Sequence, residues 1–258
     1  MLKVALTIAG SDPSGGAGIQ ADLKTFHRFG VYGEAVVALV TAQNTEGVRR
    51  VEVLGPDLVT EQILAVVDDI PPHAAKTGAL GSAEVVEAVA RMAETFAFPL
   101  VVDPVMASKN RVPMLDRDAK TAVLDKLAPR AFLLTPNLEE AEELTSLHIR
   151  DIEGMARAAE RLRGSGATNV LVKGGHLEGD PVDLLLTSNG EYRQFGAARV
   201  ATRHTHGTGC TYSAAITAQL ALGRSLPEAI ACAKSFITEA IRCNPGLGRG
   251  SGPLNHFA

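Results

Sequence analysis

Short, almost entirely apolar segments recur along this chain and alternate with segments of helical periodicity. Residues 4–8, Val-Ala-Leu-Thr-Ile, form the first such segment, and their composition is typical of a strand buried on both faces of a sheet. Similar segments occupy residues 35–40, 74–77, 100–102, 132–134 and 170–172. Between them, apolar residues return every three or four positions, and the spacing over 57–69 predicts a helix with Asp57 as its N-cap. The alternation predicts an α/β fold with a doubly wound, mostly parallel central sheet and helices on both faces.

The pattern changes in the last third of the chain. Segments 182–187 and 192–195 flank Ser188-Asn189-Gly190, and Asn-Gly is a strong signal for a hairpin turn. We therefore expect an antiparallel hairpin near one edge of the sheet. No linker, repeat or low-complexity stretch interrupts the sequence, so we predict a single domain over residues 1–258, without a separate lid domain.

Composition argues against several classes of protein. The formal net charge of −4 offers no basic footprint for nucleic acid. No apolar stretch approaches the roughly 20 residues that span a bilayer, so we expect no membrane partner. The three cysteines, Cys210, Cys232 and Cys243, form no CxxC pair and no ligand-like cluster with histidines. That usage favours a reducing cytoplasm and argues against a disulfide framework or a structural zinc ion.

The first predicted strand runs into a glycine-rich turn at residues 10–18. The turn has neither the G-x-G-x-x-G spacing of a dinucleotide-binding fold nor the GK[ST] ending of a P-loop. So many flexible residues cost entropy on folding without packing against anything, which predicts a ligand-binding loop.

A second glycine-rich turn, Thr-His-Gly-Thr-Gly-Cys at residues 205–210, leads directly into an Ala-rich helix. The first turn of a helix has unpaired backbone N–H groups and a partial positive charge, and Gly207 and Gly209 leave room for a bulky anion. The same field would favour the thiolate of Cys210. This pattern indicates an anion cradle with a nucleophile or base, as in phosphoryl transfer. The alternative is a loop that caps a buried helix, with Cys210 filling a small apolar space.

Polar clusters follow the predicted strands at the points where they end. Ligands on doubly wound sheets bind beyond the carboxyl ends of the strands, so these clusters predict one active site. They comprise residues 10–18, residues 41–44, Asp103, Asn137, Lys173 and the Gly207 turn.

Three stretches together resemble one family: LTIAGSDPSGGAGIQADLK at 6–24, TAQNT at 41–45 and HGTGC at 206–210. They are similar to the bacterial hydroxymethylpyrimidine and phosphomethylpyrimidine kinases of thiamine biosynthesis, in the ribokinase-like superfamily. The segments KGGH at 173–176, TPN at 135–137 and GPLNHF at 252–257 also fit, so the resemblance covers essentially the whole chain.

The resemblance implies a ribokinase-like fold and an enzyme that uses ATP and Mg²⁺. Its expected substrate is an aminopyrimidine, 4-amino-5-hydroxymethyl-2-methylpyrimidine, which is phosphorylated to the monophosphate and then to the diphosphate. The resemblance also implies a homodimer, the usual oligomeric state of the family. A pyridoxal kinase, a nicotinamide-dependent oxidoreductase and a non-catalytic pyrimidine-binding protein are the alternatives to this interpretation.

Four residues are candidates for binding the substrate. The amide of Gln43 has a donor face and an acceptor face, which match a ring nitrogen beside an exocyclic amine; its other role would be to cap the end of a strand. Gly10 would let the ring lie close to the backbone, and Met106 would cover it with adaptable apolar surface. Asp22 either reaches the substrate or stabilises the helix in which it lies.

The turn at 207–210 is the predicted anion hole for the transferring phosphoryl group, and it contains four candidate catalytic residues. Lys173 is the first candidate for neutralising nucleotide phosphate, and Lys234 on the last helix is a weaker one. The predicted catalytic residues are Gly207, Thr208, Gly209 and Cys210.

Two features concern the metal ion. Asn137 and Glu140 have the spacing of the superfamily's Asn-x-x-Glu magnesium motif, which assigns Asn137 to the nucleotide site and Glu140 to the metal. The same spacing is that of a capping box, and both roles can coexist if the metal is bound through water. Asp103, at the end of a strand, is a second candidate for organising Mg²⁺.

Cys210 stands where the wider superfamily usually has Asp, and we predict that it is the general base for the hydroxymethyl group. The monophosphate is already largely ionised at neutral pH, so it needs this base less. Residues 105–115 have no periodicity, and we predict a flap there that closes over the substrate.

Overall fold

The computed structural model describes residues 2–107, 114–115, 117–175, 177 and 179–258, and strands alternate with helices along them. The strands are β1 (Val4–Ser11), β2 (Tyr32–Asn44), β3 (Gly47–Val53), β4 (Ala74–Thr77), β5 (Leu100–Val102), β6 (Leu133–Leu134), β7 (Val170–Val172), β8 (Val182–Leu186) and β9 (Tyr192–Gly196). The α-helices are α1 (Gly18–Arg28), α2 (Pro56–Asp69), α3 (Ala83–Ala93), α4 (Arg117–Ala122), α5 (Leu138–Thr145), α6 (Ile152–Gly164), α7 (Thr208–Ala221) and α8 (Leu226–Arg242). A π-helical turn (Val123–Leu127) and a 3₁₀ turn (Ala128–Arg130) follow α4.

The described strands form one nine-stranded sheet in the order β3-β2-β1-β4-β5-β6-β7-β8-β9. In this order the six strands β2-β1-β4-β5-β6-β7 pair in parallel. Strand β3 pairs antiparallel with β2, β8 with β7, and β9 with β8. The chain first winds outward from β1 to β2 and then returns to place β4 on the other side of β1. This reversal opens a crevice at the carboxyl ends of β1 and β4, where ligands bind in folds of this kind.

Two layers of helices cover the sheet. Helices α2, α3 and α6 pack on one face, where Ile63, Val86 and Met155 belong to the same buried cluster as Leu6 and other strand residues. Helices α1, α7 and α8 contribute to the two clusters on the opposite face. The predicted doubly wound sheet, with helices on both faces and a hairpin at one edge, is confirmed.

The starts of α3 and α2 differ in how they are capped. Ser82 is the N-cap of α3 and accepts a hydrogen bond from the backbone of Val85. The prediction that Asp57 caps α2 is wrong, because the cap is Gly55 and Pro56 occupies the first helical position. Proline fits there because that position has no intrahelical acceptor for an N–H group.

The hairpin of β2 and β3 was not expected. Residues 41–44 are the last four residues of β2, so they lie at the end of a strand as predicted, and they also pair with β3. The turn is closed by the Asn44 side chain, which accepts hydrogen bonds from the backbone of Glu46 at 2.9 Å and of Gly47 at 3.2 Å. Four of the seven residues of β3 are exposed or charged on an open edge, so the segment has no buried apolar pattern.

The predicted flap lies mostly outside the described residues, since 108–113 are not among them. The two described ends of the segment meet where the backbone N–H of Met114 donates to the carbonyl of Met106 at 2.8 Å. None of the helices within the described ranges is long and apolar enough to cross a membrane.

Candidate active site

The turn before α7 has a conformation that requires glycine. Gly207 has a φ of 79°, and a Cβ atom there would lie 1.8 Å from the carbonyl oxygen of Gly16. The turn therefore packs tightly against the glycine-rich loop that follows β1, and both loops lie at the carboxyl edge of the sheet. Helix α7 begins at Thr208 and directs its positive end into this space.

Cys210 lies in the first turn of α7, but its thiol is not the acidic group that the sequence suggested. Burial raises the pKa of Cys210 to about 11, against the opposing effect of the Lys76 ammonium. The helix field therefore does not produce a resident thiolate, because removal of the sulfur from water costs more. Cys210 is a protonated thiol at neutral pH in this structure.

Lys76 on β4 was missed by the sequence analysis. Its side chain is completely buried and its Nζ atom lies 2.8 Å from Oδ2 of Asp22, which also accepts a hydrogen bond from Thr7 at 2.7 Å. The ion pair places Asp22 beneath the site rather than on its surface. A lone lysine in the otherwise apolar run Ala74–Thr77 was the available signal, because buried charges occur almost only when they are paired.

Asp103 and Lys173 meet at the entrance of α7. Lys173 Nζ donates to Oδ1 of Asp103 at 2.8 Å, and Ser213 Oγ donates to Oδ2 at 3.1 Å. Burial raises the pKa of Asp103, but the neighbouring Lys173 ammonium and other partners lower it by more, so the pKa lies below its ordinary value. A Cβ atom on Gly209 would come within 3.5 Å of Lys173 Nζ and 3.7 Å of Asp103 Oδ2. The predicted phosphate-binding lysine and the predicted anion cradle therefore share one space.

Asn137 and Glu140 form the capping box of α5. The Asn137 side chain accepts from the Glu140 backbone at 2.9 Å, and the Glu140 carboxylate accepts from the Asn137 backbone at 2.8 Å. Burial raises the pKa of Glu140 to about 7, opposed by Lys173 and assisted by Asp103. The capping interpretation is confirmed, and the Glu140 carboxylate also accepts a hydrogen bond from the backbone of Met106.

The described residues contain no group of three His, Cys, Asp or Glu side chains close enough together to hold a metal ion. What they offer instead is two carboxylates, Asp103 and Glu140, on either side of Lys173. Mg²⁺ normally keeps several waters and binds through one or two carboxylates together with substrate phosphates, so this donor set fits water-mediated binding.

Gln43, near the carboxyl end of β2, contacts His206, which immediately precedes the Gly207 turn into α7. Its Nε2 atom is 3.2 Å from Nε2 of His206, and its Oε1 atom is 3.3 Å from Thr41 Oγ1. His206 Nε2 is also 2.8 Å from Oδ2 of Asp12. The sequence alone indicates no individual role for His206 or Asp12, which lie within the family-like stretches 206–210 and 6–24.

Asp12 organises the loop after β1. Its Oδ1 atom accepts from the backbone and the hydroxyl of Ser14 at 2.9 and 2.8 Å, and its Oδ2 atom accepts from the backbone of Ala17 at 2.9 Å. The loop also receives the segment 252–256, which we call the C-terminal segment. The backbone of His206 donates to the carbonyl of Gly252 at 3.1 Å, and His256 Nε2 lies 3.1 Å from Thr211 Oγ1 on α7.

Lys234 does not face the predicted phosphate site. Its Nζ atom is 2.7 Å from Oδ2 of Asp183, and the Tyr212 hydroxyl donates to the same oxygen at 2.9 Å. The other oxygen of Asp183 accepts from the Gly174 backbone at 3.0 Å. Lys234 thus supports the loop after β7 from within the protein, which corrects its suggested role at the nucleotide.

Gly10 and Met106 also have packing roles. A Cβ atom on Gly10 would lie 2.5 Å from Cδ1 of Leu39, so contact between the strands already explains the glycine. Met106 is buried in the core cluster that includes Val102 and Leu115.

Comparison with known proteins identifies the family of this chain. The family model described as phosphomethylpyrimidine kinase matches residues 12–255. The chain belongs to this family. A hydroxymethylpyrimidine/phosphomethylpyrimidine kinase of Staphylococcus aureus is 46% identical over 99% of this chain and 94% of its own length.

Two further similarities differ in extent. A thiamine biosynthesis bifunctional protein, ThiED, of Geobacter sulfurreducens is 49% identical over 98% of this chain, which spans only 52% of that protein. The crystal structure of an ADP complex of Bacillus subtilis pyridoxal kinase superposes with a TM-score of 0.91, at 36% identity, over 99% of this chain and 98% of that one. The resemblance noted from the sequence, and the ribokinase-like fold it implied, are confirmed.

Proposed function

We propose that this chain transfers the γ-phosphoryl group of ATP to 4-amino-5-hydroxymethyl-2-methylpyrimidine and then to the resulting monophosphate. The observation that carries the proposal is the meeting of the Gly207 turn, Cys210 and the Lys173–Asp103 pair at one edge of the sheet. Gln43 lies across this edge in contact with His206. An anion site, a proton acceptor and a heterocycle-binding amide are the components such a reaction needs.

The phosphate side of the site uses the start of α7. The aligned dipole of a 14-residue helix and the Lys173 ammonium both stabilise the negative charge that develops on the transferring phosphoryl group. Asp103 holds Lys173 in place through its 2.8 Å contact. Because the lysine is almost wholly buried, solvent screens its charge only weakly.

Asp103 and Glu140 are the residues that would hold Mg²⁺, through its bound waters. The metal ion, when bound, neutralises charge on the nucleotide phosphates. Asn137 fixes Glu140 by the capping box, so the carboxylate has a defined position before any ligand arrives.

Cys210 acts as the general base of the first phosphorylation only. The hydroxymethyl proton passes to Sγ of the thiolate as the oxygen forms its bond to the γ-phosphorus and the bond to ADP breaks. With a pKa of about 11, the thiolate is a minor form at neutral pH, so the rate of this step rises with pH. The monophosphate, with a second pKa of about 6, is already ionised and does not need the base.

The test measures ADP release by Cys210→Ala with each acceptor. We expect a loss of about 10²- to 10⁴-fold with the alcohol and a much smaller loss with the monophosphate. In the wild type, log kcat/KM should rise with pH from about 7 to 9 for the alcohol alone, because the monophosphate is already ionised over that range. Cys232→Ala on α8 is the matched control. Equal losses with both acceptors would leave Cys210 a structural role.

Pyridoxal is the second candidate substrate, because a pyridoxal kinase has the same fold at 36% identity. Pyridoxal also carries a hydroxymethyl group on a nitrogen heterocycle, but it has no exocyclic amine to match Gln43. We expect its kcat/KM to be well below that of the pyrimidine when both are measured side by side. Activity on pyridoxal alone would overturn the choice of substrate, and ATP turnover of any kind argues against a non-catalytic pyrimidine-binding protein.

We also propose that the enzyme is a homodimer, as is usual in the family. We propose further that it works in the cytoplasm. Sedimentation velocity at micromolar concentration tests the first part, where a single monomeric species would contradict it. Fractionation of the source cells tests the second.

A further inference from the structure

Asp12, His206 and Gln43 form a continuous polar contact across the site, which we call the Asp12–His206–Gln43 chain. Nε2 of His206 is 2.8 Å from Oδ2 of Asp12 and 3.2 Å from the Gln43 side-chain amide. Asp12 and His206 are both buried, with 3% and 6% of their surface exposed. A single ring nitrogen therefore contacts two polar groups, and it can carry at most one proton.

The position of that proton follows from Asp12. The carboxylate accepts hydrogen bonds from Ser14 and Ala17 as well as facing His206, so it is surrounded by donors and is ionised. Burial raises the pKa of Asp12, but the hydrogen bonds from His206 and Ser14 lower it by more, so the pKa lies below its ordinary value. An ionised carboxylate 2.8 Å away must accept from His206, so Nε2 carries the hydrogen.

A protonated Nε2 cannot accept from a second N–H group. Of the two amide atoms of Gln43, only the oxygen can face this N–H group, as the second acceptor of a hydrogen bond shared with Asp12. The amide is therefore turned over relative to its assigned orientation, with its oxygen towards His206 and its nitrogen on the opposite side. The oxygen and nitrogen of an amide are nearly equal in shape, and the hydrogen-bonding partners decide between the two orientations.

Thr41 independently requires the same orientation. Its hydroxyl donates its only hydrogen to the carbonyl of Ser11 at 3.0 Å. Towards the Gln43 amide, 3.3 Å away, it can then only accept, so the amide nitrogen must face it. Both neighbours of Gln43 thus fix one orientation of the same group.

We propose that His206, held by Asp12, is a positioning residue that fixes the Gln43 amide in one orientation and so decides which pyrimidines the site accepts. The inference rests on the proposed function, in that Gln43 is taken to contact the substrate ring. In the fixed orientation one N–H of Gln43 remains to donate to a ring nitrogen. The oxygen keeps a lone pair for an exocyclic amine. A 4-oxo analogue, which has a ring N–H beside a carbonyl, presents the reverse pattern and is rejected.

The test compares kcat/KM for the 4-amino substrate and for 5-hydroxymethyl-2-methylpyrimidin-4-one, in wild type and His206→Phe. A two-point amide contact discriminates by about 5- to 150-fold, so we expect the preference for the amine to fall by about tenfold or more in the variant. The loss should appear mainly in KM for the amine, with a gain for the oxo analogue. His206→Gln retains an N–H donor and should retain most of the preference.

Ser14→Ala is the control, because it removes another partner of Asp12 without touching His206. If His206→Phe slows both substrates equally and leaves their ratio unchanged, His206 is structural and the inference is wrong. If that variant does not fold, Thr41→Val removes the second fixed neighbour and must also lower the preference.

Calorimetric binding of the two pyrimidines to the same variants measures the ratio without turnover. If the wild type binds the amine preferentially but transfers no phosphate, the proposed function is wrong. The binding preference of the variants then still tests the orientation of Gln43. Equal binding of the two pyrimidines by the wild type would overturn the inference itself.

Discussion

Glu34 on β2 offers a test of the structure that is independent of the active site. Its side chain is buried, with 7% exposed, and neither carboxylate oxygen has a hydrogen-bond partner among the described residues. Burial, followed by the nearby Asp69 carboxylate, raises the pKa of Glu34 from an ordinary 4.5 to about 7. We predict that Glu34→Gln stabilises the protein at alkaline pH and has almost no such effect in acid.

The sign and size follow from proton linkage. Below pH 4.5 Glu34 is protonated in both the folded and the unfolded chain, and its ionisation costs nothing. Between pH 4.5 and 7 only the unfolded chain loses the proton, so stability falls as pH rises. Above pH 7 the cost is complete. A shift of about 2.5 units corresponds to at most about 3.4 kcal/mol, and relaxation around the charge reduces the expected gain to about 1–2.5 kcal/mol.

The assay is reversible urea unfolding of wild type and Glu34→Gln at pH 5 and pH 8. The difference in free energy of unfolding between the two proteins should grow with pH in favour of the variant. Glu61→Gln, which changes an exposed carboxyl group on the neighbouring helix α2, is the control and should give the same small difference at both values. A Glu34→Gln effect that is constant with pH, or that falls as pH rises, would refute the reasoning.

Two further substitutions test the site itself. Gly207→Ala should lower ATP turnover by at least about 100-fold and stability by about 2 kcal/mol, because its methyl group would lie 1.8 Å from Gly16 O at a positive φ; Gly164→Ala, which meets no atom within 4 Å, is the control for kinetics and unfolding. Lys234→Met should cost about 3 kcal/mol by leaving Asp183 buried without its ion pair. The KM for ATP should nevertheless change less than about twofold, and a large rise would restore Lys234 to the nucleotide site.

The sequence predicts the sheet well because its central strands are buried on both faces and leave a continuous apolar signal. Helix α2 was recognised for the related reason that one of its faces is apolar. Strand β3 was missed because it is an open edge whose exposed arginines give no such signal. The N-cap of α2 was misplaced by two residues because the preceding Gly-Pro pair starts the helix earlier than Asp57.

The site was predictable where its parts are local in sequence. The cradle at Gly207 follows from glycine spacing, and the pair Asn137 and Glu140 from the spacing of a cap. The roles of His206 and Lys76 were not predictable, because each depends on a partner far away in the chain. His206 meets Asp12 across 194 positions and Lys76 meets Asp22 across 54. The thiol pKa was mispredicted because the helix dipole is visible in a sequence and desolvation is not.

The C-terminal segment affects the order in which the contacts of the site form during synthesis. Residue 252 supplies the carbonyl that holds the backbone of His206, and His256 contacts the first turn of α7. During synthesis from the amino terminus, Asp12 and Gln43 are made long before the segment at residue 252 that holds their partner His206. The contacts of the proposed ring-binding site are therefore completed only after residue 252 has been synthesised, and a product truncated before that residue would lack them.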